Sequence, residues 1–318
     1  MLHWLLHWNP ADLLCTNYVF TKCQQTSVVN QSQEHASDCY IFCIQNGVLG
    51  LLLISVHNMC FMYNNSSFRS SFGYLCIARS AFNTMNLLSF ICFTAPNTIF
   101  KLIPTSSELG RAIGLVVGPW YIAIIFVQVA TAFNRVIAVV FPLRYNRICT
   151  VKWAAMVIIC GMSYGIAVSV TDVMTGCRFV YNFDTFAWEY YNCSQFINNV
   201  KFVYPVFTSA ATSLSINILI ALWLIKRFHL GSATLRKDKN IKMFWQGFAQ
   251  ELFFANDLVW QQFLSNLVDS PWWSFLSCSF MWELAHTCDG LMFLVFDGET
   301  RSSFFGCVTL RRLQHTLK

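Results

Sequence analysis

The chain has 318 residues, of which 56% are hydrophobic and only 11% are charged, and its formal net charge is +6. Soluble domains usually carry about a quarter charged residues, so this composition excludes an ordinary water-soluble domain and predicts an integral membrane protein. The 30 Phe, 11 Trp and 11 Tyr suit lipid contact and the aromatic belts of membrane proteins.

The chain begins with residues 1–38, which we expect to form a poorly ordered extracellular tail. Its apolar tip, MLHWLLHWNP, lacks the basic residues and the small-residue cleavage site of a signal peptide. Asn30 opens an Asn-Gln-Ser triplet, which is the acceptor pattern for N-glycosylation and suits an exposed tail.

Seven apolar segments follow, and each is long enough for a membrane-spanning helix, which needs ~20 residues. They lie at residues 40–62, 74–100, 112–141, 151–171, 199–228, 243–268 and 274–297. A segment in lipid must satisfy its own backbone hydrogen bonds, so helices are expected. The predicted fold class is all-α, a seven-transmembrane bundle over residues 39–305 with a short amphipathic cytoplasmic helix at 306–318.

The basic residues predict the orientation of this bundle. With the N-terminus outside, 15 of the 21 Lys and Arg residues fall on the cytoplasmic side and five on the outside. Cytoplasmic loops carry an excess of Lys and Arg, so we expect an outside N-terminus and an inside C-terminus. Because the charges lie around the spans, the net charge does not indicate a nucleic-acid partner.

Arg135 lies at the end of the third segment, in the run FNRVIAVVFPLRY. At 100° per residue it shares a helical stripe with Gln128, and Tyr121 lies nearly in line. Polar groups avoid lipid, so the stripe is expected to face the bundle. The guanidinium either reaches the cytoplasmic opening and binds a partner, or is only an inner-side charge that fixes topology. Pro142 is expected to end the helix, and Tyr145 begins a basic loop.

The last two segments carry polar residues. Four residues of the sixth segment share one helical face: Gln246, Gln250, Asp257 and Gln261. We interpret the glutamines as packing between helices. Glu283 and His286 lie one turn apart in the outer half of the seventh segment, on a stripe shared with Asp297. They either contact a polar ligand or each other, or only pack the bundle.

Several stretches together resemble one receptor family. NRVIAVVFPLRY resembles the end of the third helix in the nematode serpentine receptor class X chemoreceptors, where Asn-Arg replaces the more common Asp-Arg-Tyr. Four further stretches are similar to motifs of that family in the same order, over about residues 40–305: CIARSAFNTMNLLSFICFTAPNT, CRFVYNFDTFAWEYYNC, FWQGFAQ and HTCDGLMFLVFDGETR. Two features depart from its pattern: Asp297 stands where Asn is expected, and the sixth segment contains no proline.

The resemblance implies a rhodopsin-like G-protein-coupled receptor that detects a small chemical cue. Its implied partners are a small-molecule ligand, membrane lipids and a heterotrimeric G protein, and its implied location is the plasma membrane of sensory-neuron cilia. No cofactor is implied. Coupling to the G protein is expected at Asn134, Arg135, Pro142 and Tyr145. Ligand contact is expected at Tyr121, Gln128, Glu283 and His286.

Cys177 and Cys193 bracket the predicted outside loop between the fourth and fifth segments. Rhodopsin-like receptors normally tie this loop to a cysteine at the top of the third helix, but no cysteine occurs between Cys92 and Cys149. A bridge between Cys177 and Cys193 would replace that link and fold the loop over the pocket. The other interpretation is two free thiols.

A different class of function is a proton-coupled transporter. Five residues could form a proton relay: Glu251, Asp257, Glu283, His286 and Asp289. Seven spans are an odd number for paired repeats, and the sequence shows no internal repeat. An enzyme is not indicated, because metalloprotease, phosphate-loop and nucleophile-elbow motifs are missing, and the seven histidines show no metal-ligand spacing.

The predicted orientation can be tested with epitope tags. Because the charge asymmetry places the N-terminus outside, a tag at residue 30 should be labelled by antibody on intact cells. A tag at residue 318 should be labelled only after permeabilisation. The opposite labelling pattern would reverse the orientation.

Overall fold

The computed structural model describes residues 52–100, 104, 107–229, 239–296, 298 and 300–304. The expectations for the tail at 1–38, for Asn30, for Asp297 and for the amphipathic segment at 306–318 fall outside these residues.

Within the described residues the chain is built from seven long helices. They are α1 (residues 52–64), α2 (Ser71–Ser89), α3 (Glu108–Val140), α4 (Val151–Thr175), α5 (Tyr204–His229), α6 (Lys239–Val259) and α7 (Met281–Phe296). α3 packs against α2, α4 and α5 and also contacts α6, while α7 packs against α6 and α2. The core of the bundle therefore surrounds α3.

The helices lie over the predicted segments, and their inward faces are more polar than their outward faces. Four described helical stretches are long and apolar enough to cross a membrane: Ser71–Thr98, Glu108–Val140, Val151–Thr175 and Gln195–Lys226. In α6, Gln246, Gln250 and Asp257 are buried, whereas Trp245 and Leu252 are exposed. This distribution is what a helix needs when one face meets lipid and the other meets its neighbours.

Local sequence signals fix the helix ends. α2, α3 and α4 each begin after a hydroxyl residue whose side chain accepts a hydrogen bond from the first turn: Ser70, Ser107 and Thr150. Such N-caps satisfy backbone donors that have no partner inside the helix. α3 ends at Val140, and Pro142 then begins a 3₁₀ turn, as the sequence predicts.

Four helices contain a π-helical turn at the same end of the bundle. The turns are Phe90–Thr94 after α2, Asn199–Val203 before α5, Trp260–Leu264 after α6 and Phe275–Phe280 before α7. π turns interrupt a regular helix and are frequent at functional sites. The sixth helix has no proline, but the π turn changes its hydrogen-bond pattern at this level.

A two-stranded hairpin covers that end of the bundle, which we call the hairpin end. Strands β1 (Arg178–Asn182) and β2 (Ala187–Tyr191) pair antiparallel, and a disulfide joins Cys177 to Cys193. The sequence did not predict these strands. The disulfide brings the two ends of this segment together, so the chain between them can pair as two antiparallel strands.

The hairpin lies directly on α3. A Cβ atom added to Gly114 would lie 1.7 Å from the carbonyl oxygen of Phe179 in β1, so only glycine fits at this position of α3. Phe179 and Tyr181 belong to β1 and are buried. The hairpin therefore fills the mouth of the bundle with aromatic side chains. The opposite end, where α3 finishes at Val140, we call the basal end.

The disulfide should contribute measurably to stability. Changing both Cys177 and Cys193 to serine should lower the free energy of unfolding by about 3 kcal/mol, because the bond closes a short loop in the unfolded chain. A thermal melt of the purified protein would measure the loss. The matched control changes the exposed Cys92 and Cys160 to serine and should have little effect. Mass spectrometry of unreduced protein that found Cys177 and Cys193 as free thiols would contradict this account.

Candidate functional site

A network of charged side chains crosses the middle of the bundle. Arg79 of α2 lies 2.8 Å from the Asp289 carboxylate of α7 and 3.2 Å from the Glu251 carboxylate of α6. All three residues are buried. Charges inside a membrane protein are costly unless they are paired, and removing one partner of a buried pair leaves the other uncompensated. These pairs therefore tie α2, α6 and α7 together.

Glu251 is the point where most of the helices meet. Gln128 of α3 donates a hydrogen bond to its Oε2 atom, and Ser213 of α5 donates to the same atom at 2.8 Å. Its Oε1 atom lies 4.0 Å from the guanidinium of Arg135. One carboxylate of α6 is thus bound by side chains of α2, α3 and α5.

Arg135 points into the bundle. Its side chain is 5% exposed, and its Nη1 atom donates to Asn217 of α5 at 3.4 Å. A Cβ atom added to Gly247 of α6 would lie 1.8 Å from Nη2, so the missing side chain makes room for the guanidinium. One expectation was that the guanidinium reaches the cytoplasmic opening. In the structure it lies inside the bundle instead, where Glu251 and Asn217 are its polar partners.

Polar contacts continue from Asp289 towards the hairpin end. Asn83 donates to Asp289 Oδ2 at 2.5 Å, and the Oδ1 atom of Asn83 lies 2.8 Å from His286 Nδ1. The indole of Trp282 donates to His286 Nε2. A continuous chain of contacts therefore links an aromatic ring at the hairpin end to Arg135 at the basal end.

Aromatic rings fill the space between this chain and the hairpin. Tyr121 of α3 has ring-centroid distances of 5.1 Å to Trp282 and 6.4 Å to Phe254. Trp188 of the hairpin lies 6.4 Å from Trp282 and 6.5 Å from Phe90. We call these rings, Phe90, Tyr121, Trp188, Phe254 and Trp282, the aromatic cluster.

The predicted ligand residues occupy three different surroundings. Tyr121 belongs to the aromatic cluster and His286 borders it. Gln128 binds Glu251 and so belongs to the charge network. Glu283 is 1% exposed, and both of its carboxylate oxygens lack a hydrogen-bond partner among the described residues. The contact between Glu283 and His286 that their spacing allows is not formed, since the ring nitrogens of His286 face Asn83 and Trp282.

Two of the predicted coupling residues, Asn134 and Tyr145, are joined by a hydrogen bond at the basal end. Asn134 donates to Ser71 Oγ at 3.1 Å, and the Tyr145 hydroxyl donates to Asn134 Oδ1 at 2.9 Å. Burial raises the pKa of Tyr145, so the hydroxyl keeps the proton that it donates. Pro142 is exposed beside it. The turn after α3 is thus fixed to the start of α2.

A second buried ion pair fixes the hairpin. Lys201 of the π turn before α5 pairs with Asp172 of α4. Its ammonium also lies 4.9 Å from the ring of Tyr190 in β2 and 3.6 Å from Cys193 Sγ. Burial raises the pKa of the Tyr190 hydroxyl. Lys201 therefore holds the hairpin against α4 and α5.

Sequence reasoning did not find either set of ion pairs. Arg79 was recognisable as a charge inside an apolar span, and Glu251 and Asp289 as acids in other spans. Charges of opposite sign in different spans are the available signal, because each is costly without a partner. Which of them meet depends on how the helices are rotated and packed, and one sequence does not specify this.

One comparison with known proteins identifies a family. A family model described as serpentine type 7TM GPCR chemoreceptor Srx matches residues 44–297, which is most of the chain. The match confirms the resemblance drawn from the motifs and the predicted seven-helix membrane fold. It also describes a receptor class rather than an enzyme class, and it does not favour the transporter interpretation. No curated protein matches the sequence at a significant level.

The charge network should contribute strongly to the stability of the bundle. Arg79→Met leaves Glu251 and Asp289 without their shared cation, so the free energy of unfolding should fall by about 3–5 kcal/mol. Thermal melts of the purified protein would measure the change. Arg111→Met is the matched control: it breaks an exposed pair with Glu108, and such pairs contribute roughly 0–1 kcal/mol.

Equal melting temperatures for Arg79→Met and Arg111→Met would show that the buried network does not hold the helices. A triple variant, Arg79→Met with Glu251→Gln and Asp289→Asn, removes the charges together. It should recover only part of the loss, since no buried carboxylate is then left without a cation but Arg135 loses its contact with Glu251.

Proposed function

The chain belongs to the Srx family of serpentine seven-transmembrane chemoreceptors, and from this premise we propose how it signals. The chain is a membrane-embedded chemosensory receptor. Its cue is a small molecule that binds at the hairpin end, and its partner is a heterotrimeric G protein that binds at the basal end. The hairpin end faces the outside, at the plasma membrane of sensory-neuron cilia.

The observation that carries this proposal is the position of Arg135 against α6. Its guanidinium lies beside Gly247 and 4.0 Å from Glu251, so the basal halves of α3 and α6 are in contact through one charged side chain. A displacement of α6 would separate these groups. Arg135 would then be free to donate hydrogen bonds to a protein that enters the gap.

The contacts on the hairpin side supply a route by which a ligand could cause that displacement. Hydrogen bonds run from Trp282 to His286, then to Asn83 and then to Asp289. Arg79 joins Asp289 to Glu251. A ligand among the rings would contact Trp282 first. A ligand shifts a receptor only by binding its two states with different affinity, and Trp282 belongs to both the rings and the chain.

The residues around the turn after α3 suit the role of a docking surface. Leu143 is fully exposed and Arg144 is exposed, while Asn134 and Tyr145 hold the turn in place beneath them. An exposed apolar residue on a fixed turn offers a partner contact area. We propose that Pro142 and Tyr145 shape this surface and that Arg135 responds to its occupation.

The acidic residues of the bundle support this function better than proton transport. Glu251 and Asp289 both bind Arg79, so these carboxylates are engaged with a fixed cation. A proton relay needs acids that can take up and release protons along a path. Glu283 has no such partner among the described residues, and we assign it to the ligand-binding half.

G-protein activation should depend on Arg135. Cells that express the chain with reporter G proteins are first screened with small compounds, and an activating compound is then tested on variants. Arg135→Ala should lower activation by at least about tenfold, because a hydrogen bond from a charged donor contributes roughly 1.5–3 kcal/mol. Surface expression and compound binding should persist, since Arg79 still pairs with Glu251.

Arg144→Ala is the matched control, because it removes an arginine that is exposed nine residues further along the chain. It should signal much as the unchanged receptor does. If Arg135→Ala signals normally, or fails to reach the cell surface, Arg135 is a structural charge and its assignment to coupling is wrong.

A further inference from the structure

The two halves of the bundle differ in charge balance. At the basal side of the network, Arg79 and Arg135 face Glu251 and Asp289, so two cations meet two anions. At the hairpin end, Asp257 and Glu283 are buried and neither has an ion-pair partner among the described residues. The hairpin half therefore holds two buried carboxyl groups that no described cation pairs with.

The cations near the hairpin end are already occupied. Lys201 pairs with Asp172, and the exposed Glu108 lies 3.1 Å from Arg111 and 3.7 Å from Arg178. These pairs leave no described basic side chain in contact with Asp257. A positive group from outside the chain would supply the missing charge.

Asp257 has one carboxylate oxygen without a partner. Its Oδ1 atom accepts a hydrogen bond from Gln261 at 2.9 Å, but its Oδ2 atom is buried with no hydrogen-bond partner among the described residues. The residue is 0% exposed. A buried acceptor without a donor is unfavourable, so this atom is suited to receive a donor from a ligand.

Asp257 lies next to the aromatic cluster on α6. It follows Phe254 by three residues in this helix, and residues three apart are neighbours on one helix face. Tyr121 is in contact with the rings of Phe254 and Trp282. Faces of aromatic rings attract cations, and rings around a carboxylate are the usual surroundings of a bound ammonium group.

We propose that the receptor's ligand is an organic cation, a protonated amine or a quaternary ammonium with an apolar body. The positive group binds Asp257, and the apolar body lies among the rings of the aromatic cluster. These rings contact one another, so a bound ligand replaces some of the contacts that Trp188 of the hairpin makes with Phe90 and Trp282. This inference rests on the proposed ligand site at the hairpin end and names its chemical class.

A metal ion fits these residues less well. Metal sites in proteins use several oxygen, nitrogen or sulfur ligands around one ion, and among the described residues no group of three or more His, Cys, Asp or Glu could hold one. One free carboxylate oxygen beside aromatic rings instead suits a single positive group attached to a hydrocarbon.

The test compares charged probes with neutral probes of similar shape. Purified receptor is melted with benzylammonium, phenethylammonium or benzyltrimethylammonium, and with benzyl alcohol or 2-phenylethanol, at one ionic strength. A ligand of the folded state raises the melting temperature with its concentration. At least one ammonium probe should stabilise the receptor saturably, and the alcohol of matching shape should do so much less.

The variant test uses Asp257→Asn, which keeps the shape of the side chain and removes its charge. Affinity for the active ammonium probe should fall at least about tenfold, because hydrogen bonds to charged groups are the stronger kind. Asp269→Asn is the control, since it makes the same change at an exposed acid between α6 and α7. It should bind the probe as the unchanged receptor does.

Two binding results and one signalling result would overturn the inference. Either no ammonium probe stabilises the unchanged receptor more than its neutral counterpart, or Asp257→Asn binds the active probe as well as the unchanged receptor does. The comparison of probes needs no variant, so a misfolded Asp257→Asn would not leave the question open. Activation of the G protein by a neutral cue would reject the cation but keep the receptor function. Ammonium binding with no signal that depends on Arg135 would keep the cation and reject the proposed coupling through Arg135.

Discussion

The ion pairs of Arg79 with Glu251 and Asp289 are the interaction on which the rest of this bundle depends. Lipid cannot solvate these charges, so α2, α6 and α7 must keep them together or leave a charge buried without a partner. The hydrogen bonds of Gln128 and Ser213 to Glu251 add α3 and α5 to the same point. Five helices are thereby fixed in rotation and in depth, which in turn decides which side chains meet above and below.

This constraint gives the two ends of the receptor different properties. Below the network, Arg135 lies against Gly247 and balances Glu251, so a small movement of α6 changes a charged contact. Above it, Asp257 lies one helical turn from Phe254 and has no cation partner among the described residues. A ligand that binds Asp257 and a G protein that binds Arg135 in place of Glu251 would both act on α6. α6 is therefore the element through which we expect the two sites to be coupled.

The sequence predicted the helices better than it predicted the contacts between them. Apolar runs mark the spans, and Pro142 marks the end of α3. Helical periodicity also placed Gln128 and Arg135 on the face that is buried. Periodicity orders side chains around one helix, but it does not state which helix they meet, so the partners of Arg79 and Arg135 were not predictable. The hairpin strands were missed because their pairing depends on the closed ends of their loop.

The central claim is that Glu251 holds the basal end of α6 against α3. Spin labels at the exposed Leu143, beyond α3, and at the partly exposed Trp245 of α6 would report the distance between them by pulsed electron paramagnetic resonance. The labels require a background in which the exposed native cysteines are replaced by serine. Glu251→Gln should give a longer and broader distribution of distances than the otherwise unchanged protein. Identical distributions in the two proteins would contradict the claim.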